Sequence, residues 1–207
     1  LGSQKFFLLA DRYDEAERVY FGEAAISEKR TMQLKRQYEL SQVHKLPSRQ
    51  PTRVSYATLA MLLQVIPDKS ARAVGNMLVK MGTLKEPLSV EDEKRLAQRI
   101  KHVGSWLEKY ATDEIRVKLN ESAPVLGLDE NQKAALGDLV QEIKKTSDES
   151  GLQSSIYDIA RRNNIEPKDF FKLLYGIMIS KESGPRLGAF ILAAGKEKVS
   201  RLLEETA

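Results

Sequence analysis

The chain contains no cysteine and only two histidines among its 207 residues. Without cysteine, disulfide bonds, zinc–thiolate sites and cysteine nucleophiles are all excluded. No apolar run approaches the roughly 18–20 residues that a membrane-spanning helix needs, and the first residues lack the layout of a signal peptide. We therefore expect a cytoplasmic protein with no membrane partner.

Groups of residues typical of catalysis are also scarce. His44 and His102 lie far apart, and neither has a metal-ligating neighbour one helical turn away. The run from Gly184 to Gly188 lies between predicted helices, so it lacks the strand-to-helix setting of a phosphate-binding loop. The acidic run Glu91–Glu93 falls in the first turn of a helix, where the helix dipole stabilises carboxylates. We predict no catalytic residue and no metal site, and a stand-alone enzyme is the least supported class.

Helical periodicity, by contrast, runs through most of the chain. Leu96, Ile100, Val103 and Leu107 recur at four, three and four residues, which is typical of an amphipathic helix. Trp106 lies one residue off this stripe, and we predict that it borders the core instead of stacking on a base. No segment alternates as a half-buried strand does, so the sequence predicts an all-α protein. Helices are predicted at 23–40 (with Ile26 on its apolar side), 56–66, 187–194 and 196–205. Asp68, Ser89 and Asp129 are predicted to cap the starts of three helices. The segment 46–53, which contains two prolines, is predicted to be an extended connector.

Charge is distributed unevenly along the chain, although the net charge is only +4. Between Glu28 and Ile66, seven Lys or Arg residues face two acidic residues. Clustered cations favour an extended partner that carries phosphates. The alternative is a solvated helix face, which gives the same pattern.

Two ends of the sequence resemble class I lysyl-tRNA synthetases. The segments DFFKLLY (169–175), KESGPRLGAFI (181–191) and GKEK (195–198) are similar to the closing part of that family. The segment 13–22 is similar to the passage after its second ATP-handling motif. The ends match in the family's order and spacing, whereas the centre matches loosely. Neither signature motif of the family's nucleotide-binding fold is present.

This resemblance implies the C-terminal, tRNA-binding region of an enzyme that uses ATP to ligate lysine to tRNA(Lys). The catalytic domain would lie upstream in the same chain, and the region itself would need no cofactor. A helical stem-contact region with its connector is implied at 1–87. An anticodon-binding helical bundle, similar to that of bacterial glutamyl-tRNA synthetase, is implied at 88–207. We expect a monomer.

The glutamyl relatives also suggest where RNA would bind. In them, the helix end and loop before a proline touch anticodon bases, and Pro185-Arg186-Leu187 matches that turn. Lysine anticodons are rich in uridine, whose edge offers two carbonyl acceptors and one N–H donor to charged side chains. The predicted anticodon-binding residues are Ser180, Lys181, Glu182, Arg186, Arg161, Arg162 and Lys168. Predicted stem contacts, which position RNA without reading its sequence, are Lys29, Arg30, Lys35, Arg36, Arg49 and Arg53.

Other interpretations stay open at this stage. The nearest is the C-terminal region of another class I synthetase, of the glutamyl type. A different one is a helical protein-interaction module, which predicts a large exposed apolar patch and no salt-dependent RNA binding. Arg161 and Arg162 are also compatible with a simple role at a helix C-terminus, where cations complement the dipole.

Overall fold

A computed structural model describes residues 3–23, 27–43 and 45–207, with the backbone alone for residues 3 and 4. These residues form ten α-helices and no strand, which confirms the predicted all-α class. Within the same ranges, no helix is long and apolar enough to cross a membrane. Ile26 and His44, which the sequence analysis singled out, lie outside the described residues. The helices are α1 (Ser3–Tyr20), α2 (Glu28–Ser41), α3 (Tyr56–Val65), α4 (Ala71–Lys80), α5 (Val90–Tyr110), α6 (Glu130–Lys145), α7 (Glu149–Arg162), α8 (Pro167–Ile179), α9 (Leu187–Ala194) and α10 (Lys196–Thr206).

Most helices begin where capping chemistry predicts. The Ser89 hydroxyl accepts the Asp92 N–H at 3.2 Å to start α5, and Asp129 starts α6 with a full capping box. The predicted cap at Asp68 is wrong by two residues. Ser70 caps α4, because the Asp68 carboxylate instead accepts the Ser70 N–H at 2.9 Å.

One continuous apolar core joins α3 to α10. The short, almost wholly apolar helix α9 lies inside it against α3 and α7, with Phe190 1% exposed. Trp106 is 6% exposed, so its predicted core position is confirmed. Its indole stacks on Phe6 of α1, with ring centroids 4.8 Å apart, and this contact ties α1 to α5.

Helices α1 and α2 form a hairpin with a smaller apolar cluster of their own. Because α3 and α4 pack on α5, the larger core includes residues on both sides of position 87. The division of the chain at 87/88 stays a prediction.

A buried ionic cluster joins the hairpin to the rest of the protein. Asp14 and Glu17 on α1 are 3% and 4% exposed. Arg99 of α5 donates two hydrogen bonds to Asp14, at 2.9 and 2.7 Å. Arg53 of the connector and the Tyr38 hydroxyl of α2 each donate to Glu17 at 3.0 Å. Four separate parts of the chain are therefore held by two carboxylates that have almost no access to water.

Candidate nucleic-acid interface

The turn at 180–186 begins where α8 ends in a left-handed residue. Ser180 has φ 55° and ψ 39°, a conformation that costs a non-glycine residue roughly 1–2 kcal/mol. Its hydroxyl donates to the Asn120 side chain at 3.1 Å, and the Asn120 N–H donates to the Met178 carbonyl at 2.7 Å. The turn is thus fastened to the irregular segment at 111–129.

The ammonium group of Lys181 bonds to the backbone of a neighbouring turn at the protein surface. The Nζ atom donates to the backbone carbonyls of Asp113, Glu114 at 3.1 Å and Arg116 at 2.6 Å. Since an ammonium group has three N–H donors, this arrangement occupies all of them. Lys181 therefore orders the turn that follows α5.

Glu182 and Arg186 have different surroundings, although both were predicted to contact bases. Glu182 pairs with Lys172 at 2.9 Å, and its side chain is 81% exposed. Arg186 lies 3.4 Å from Glu149, whose side chain is only 13% exposed. The other Glu149 oxygen accepts the Thr83 hydroxyl at 2.9 Å.

Close packing of two helix starts brings Arg186 and Glu149 together. A Cβ atom on Gly188 would collide with the Glu149 carbonyl oxygen and lie 3.0 Å from the Gln153 N–H nitrogen. Only glycine allows the start of α9 to approach α7 this closely. The Gly188 N–H also donates to the Gln153 side chain at 3.0 Å.

A groove of about 560 Å³ opens beside this pair, and we call it the turn groove. Its volume falls in the usual range for small-ligand sites. A second cavity of about 280 Å³ lies on the other side of Pro185 and shares Ala57 and Met61 with it. The predicted turn therefore lines both hollows. Polar side chains of the turn groove are Arg53, Ser55, Thr58, Thr83, Glu149, Ser150 and Arg186.

The remaining predicted anticodon residues lie at the opposite end of α7 and α8. Arg161 and Arg162 end α7, and Lys168 starts α8. Twelve residues separate Arg161 from Glu149 along α7, which corresponds to about 18 Å at 1.5 Å per residue. Arg162 pairs with Asp138 at 3.0 Å. The structure therefore places the predicted anticodon set in two groups.

The predicted stem-contact residues divide into four on α2 and two in the connector. Lys29, Lys35 and Arg36 are exposed on α2. Arg36 pairs with Glu39 at 3.1 Å while remaining 68% exposed, and Arg30 pairs with Glu15 at 3.1 Å. The four side chains on α2 are therefore exposed or half-exposed, and two of them pair with carboxylates at the surface.

Arg49 and Arg53, in the connector, have internal partners. Arg53 belongs to the buried ionic cluster and is 16% exposed. Arg49 donates to Asp92 at 2.8 Å, and the Thr52 N–H donates to the same carboxylate at 3.1 Å. Burial by itself would raise the pKa of Asp92, but hydrogen bonds from Ser89, Arg49 and Thr52 outweigh it and lower the pKa to about 2.

A hollow beside the connector was not predicted from the sequence. Arg95, Arg99 and His102 of α5 line this cavity of about 230 Å³ together with Tyr13, Glu17 and Thr52, and Asp14 accepts two hydrogen bonds from the Arg99 guanidinium. These three side chains follow one another at four and three residues along α5, a helical spacing that places them on one face. This spacing is the signal in the sequence for the polar face of α5, which lies beside the apolar stripe of the same helix.

Comparison with known proteins places these features in a family context. No family model matches the chain. It is 34% identical over 200 residues to the lysine–tRNA ligase of Thermococcus kodakarensis, covering 94% of this chain and 37% of that protein. The corresponding ligases of Pyrococcus furiosus and Borrelia garinii subsp. bavariensis are 34% and 31% identical, over 94% and 93% of the chain.

The structure shows an all-helical chain, and the matches show a sequence similar to one region of aminoacyl-tRNA ligases. More particularly, it is similar over nearly its whole length to lysine–tRNA ligases, which confirms the resemblance inferred from its two ends. The chain spans just over a third of the length of these relatives.

Proposed function

We propose that this chain is the C-terminal tRNA-binding region of a class I lysine–tRNA ligase and that it binds the anticodon arm of tRNA(Lys). The intact enzyme would use ATP to ligate lysine to that tRNA. The similarity to lysine–tRNA ligases over 94% of the chain carries this proposal. In an enzyme of this kind, a helical region attached to the catalytic part has the task of positioning and recognising the RNA.

Two surfaces support the proposal physically. The outer side of α2 offers Lys29, Lys35 and Arg36 to solvent, and such cations bind phosphates without regard to sequence. The turn groove offers a carboxylate and a guanidinium, which suit the edge of an unpaired base. The first surface would supply affinity and the second specificity.

A gel-shift titration at low salt tests the proposal. We expect the chain to bind a lysine anticodon stem-loop more tightly than a loop in which the anticodon uridines are replaced. A glutamate anticodon stem-loop distinguishes the glutamyl-type alternative, which predicts that this loop binds best. No shift with any RNA in dilute buffer would overturn the proposal.

A second surface fits a protein partner, which we propose is the catalytic part of the same ligase. Leu8, Leu9 and Tyr110 are 50%, 63% and 66% exposed on α1 and α5. Leu9 and Tyr110 border a cavity of about 520 Å³ that reaches the Phe6–Trp106 stack. The relatives, of which this chain matches just over a third, contain the additional sequence needed to cover such a face.

Faster hydrogen exchange of residues 102–110 in this chain than in a full-length relative would support the assignment, and equal exchange would contradict it.

A further inference from the structure

We infer that Glu149 is a specificity-determining residue, and that Glu149 and Arg186 together bind the Watson–Crick edge of one anticodon uridine in the turn groove. This inference deepens the proposed function and rests on it. The family resemblance pointed to Lys181, Glu182 and Arg186 for this task, and Glu149 is the residue that the structure adds. The structure commits the Lys181 ammonium to backbone carbonyls and pairs Glu182 with Lys172.

The chemistry of the pair matches uracil. On a uracil ring the N3–H donor and the O4 acceptor are adjacent. The groove presents an acceptor, Glu149 Oε1, 3.4 Å from a donor, Arg186 Nη1. A uracil edge placed against them would donate N3–H to the carboxylate and accept a hydrogen bond from the guanidinium at O4.

Cytosine inverts the same pattern. It presents an unprotonated ring nitrogen where uracil has N3–H, and an amino donor where uracil has O4. The nitrogen lone pair would face the carboxylate, and the amino group would face the guanidinium. Both contacts would then be repulsive, and such repulsion is an effective source of specificity.

The two side chains differ in mobility in a way that suits recognition. Glu149 is 13% exposed and is held by Thr83 through its other oxygen at 2.9 Å. Arg186 is 64% exposed, so its guanidinium can turn toward an incoming base. A fixed acceptor with a mobile donor allows the base to enter before the second hydrogen bond forms.

The direction in which a Glu149 substitution changes RNA affinity distinguishes base recognition from general electrostatics. Removing a carboxylate from an RNA-binding surface increases affinity for every RNA if it acts only through charge. If Glu149 accepts the uridine N3–H, Glu149→Gln should instead weaken binding of the uridine loop by roughly 10- to 100-fold, the range for a hydrogen bond to a charged group. Glu205→Gln, which alters an equally charged, half-exposed residue on α10, is the matched control.

The experiment is a protein–RNA mutant cycle measured by fluorescence anisotropy. Wild-type chain, Glu149→Gln and Glu205→Gln are titrated with the lysine anticodon stem-loop and with loops that carry cytidine at each anticodon uridine in turn. We expect one position at which the cytidine loop binds wild type weakly and Glu149→Gln removes most of that penalty. Glu149→Gln retains an acceptor for Thr83, and thermal unfolding checks its fold. If it does not fold, Arg186→Met, which removes the proposed donor to O4 at an exposed position, replaces it in the same cycle and should likewise remove most of the cytidine penalty.

Two results would overturn the assignment of Glu149 while leaving the proposed function intact. In one, the effects of Glu149→Gln and of the uridine-to-cytidine change on binding are additive at every anticodon position. In the other, Glu149→Gln binds all loops more tightly than wild type. Failure of the wild-type chain to bind any loop would overturn the proposed function, and the assignment with it.

Discussion

The guanidinium of Arg53 donates a hydrogen bond of 3.0 Å to Glu17, and both side chains are withdrawn from water. The sequence marked Arg53 as a cation for an RNA stem, but its partner is internal. Breaking a largely buried pair leaves an uncompensated carboxylate, which typically costs several kcal/mol. Arg53→Ala should therefore lower the free energy of unfolding by about 3 kcal/mol, measured by urea denaturation.

Arg36→Ala is the comparison for that measurement. Arg36 also pairs with a glutamate, but at 68% exposure, so its loss should cost less than about 0.5 kcal/mol. If both variants lose the same stability, the buried ionic cluster does not hold the α1–α2 hairpin to the rest of the protein.

Asp92 predicts a dependence of stability on pH. Its pKa is lowered from 3.8 to about 2 in the folded protein. A depressed carboxyl pKa contributes stability that is fully present above pH 3.8 and is lost as the pH falls toward 2. The contribution is about 2 kcal/mol at neutral pH.

Asp92→Asn should remove this contribution. We expect the variant to be less stable than wild type at pH 7, with a difference that narrows between pH 4 and pH 2.5 in urea titrations. Glu121→Gln, at an exposed pair with Lys118, should show no measurable change at any of these pH values. A constant difference for Asp92→Asn across the range would mean that its partners do not shift its ionisation.

Local signals determined most of the fold, whereas the partners of the charged residues lie far away in the sequence. The stripe from Leu96 to Leu107 and the caps at Ser89 and Asp129 act within one or two helical turns, so periodicity and capping rules locate them. Arg49 meets a carboxylate 43 residues away, and Lys181 meets carbonyls 65 or more residues away. No local rule specifies such pairs, and a count of cations therefore overestimates those available to RNA.

The pairing of residues in the candidate site also could not be predicted from local sequence. The turn before Pro185 was located by resemblance, but Glu149 joins it only because α9 packs against the start of α7. The contact between Glu149 and Arg186 depends on Gly188, which lets the two helices approach closely. A glycine in the sequence does not by itself indicate which helix will approach it. Tertiary packing, and not the local pattern, assembles this pair.

Lys181 should affect the order of the segment after α5 more than the choice of base. Lys181→Met removes the donors to the Glu114 and Arg116 carbonyls. We expect faster amide exchange at Ile115 and Arg116, whose N–H groups bond within that turn, and an equal loss of affinity for all anticodon loops. Lys168→Met, an exposed lysine at the other end of α8, should leave this exchange unchanged. A loss of discrimination between uridine and cytidine loops would instead assign Lys181 to base contact.

The exposed cations of α2 should govern the salt dependence of binding. Reversing Lys29 and Lys35 to Glu removes two solvent-facing cations. The slope of log affinity against log salt should flatten by roughly 0.7–0.9 for each phosphate that the protein no longer neutralises. All RNAs should weaken alike, since phosphate contacts carry no sequence information. The control reverses Lys133 and Lys145 on α6, for the same change in net charge. Equal slopes for the two double variants would show that α2 does not lie along the RNA backbone.

The apolar face of α1 and α5 predicts concentration-dependent association of the isolated chain. Leu9 and Tyr110 are 63% and 66% exposed beside the Phe6–Trp106 stack, and contiguous apolar surface of this kind drives association in water. Sedimentation velocity should show self-association at high protein concentration, and Leu9→Gln with Tyr110→Gln should reduce it. Met32→Gln, which alters an apolar side chain of α2 that is 73% exposed, should have a smaller effect because it lies away from that cavity. Equal sedimentation of wild type and the Leu9/Tyr110 variant would argue against this face as the contact with the catalytic part.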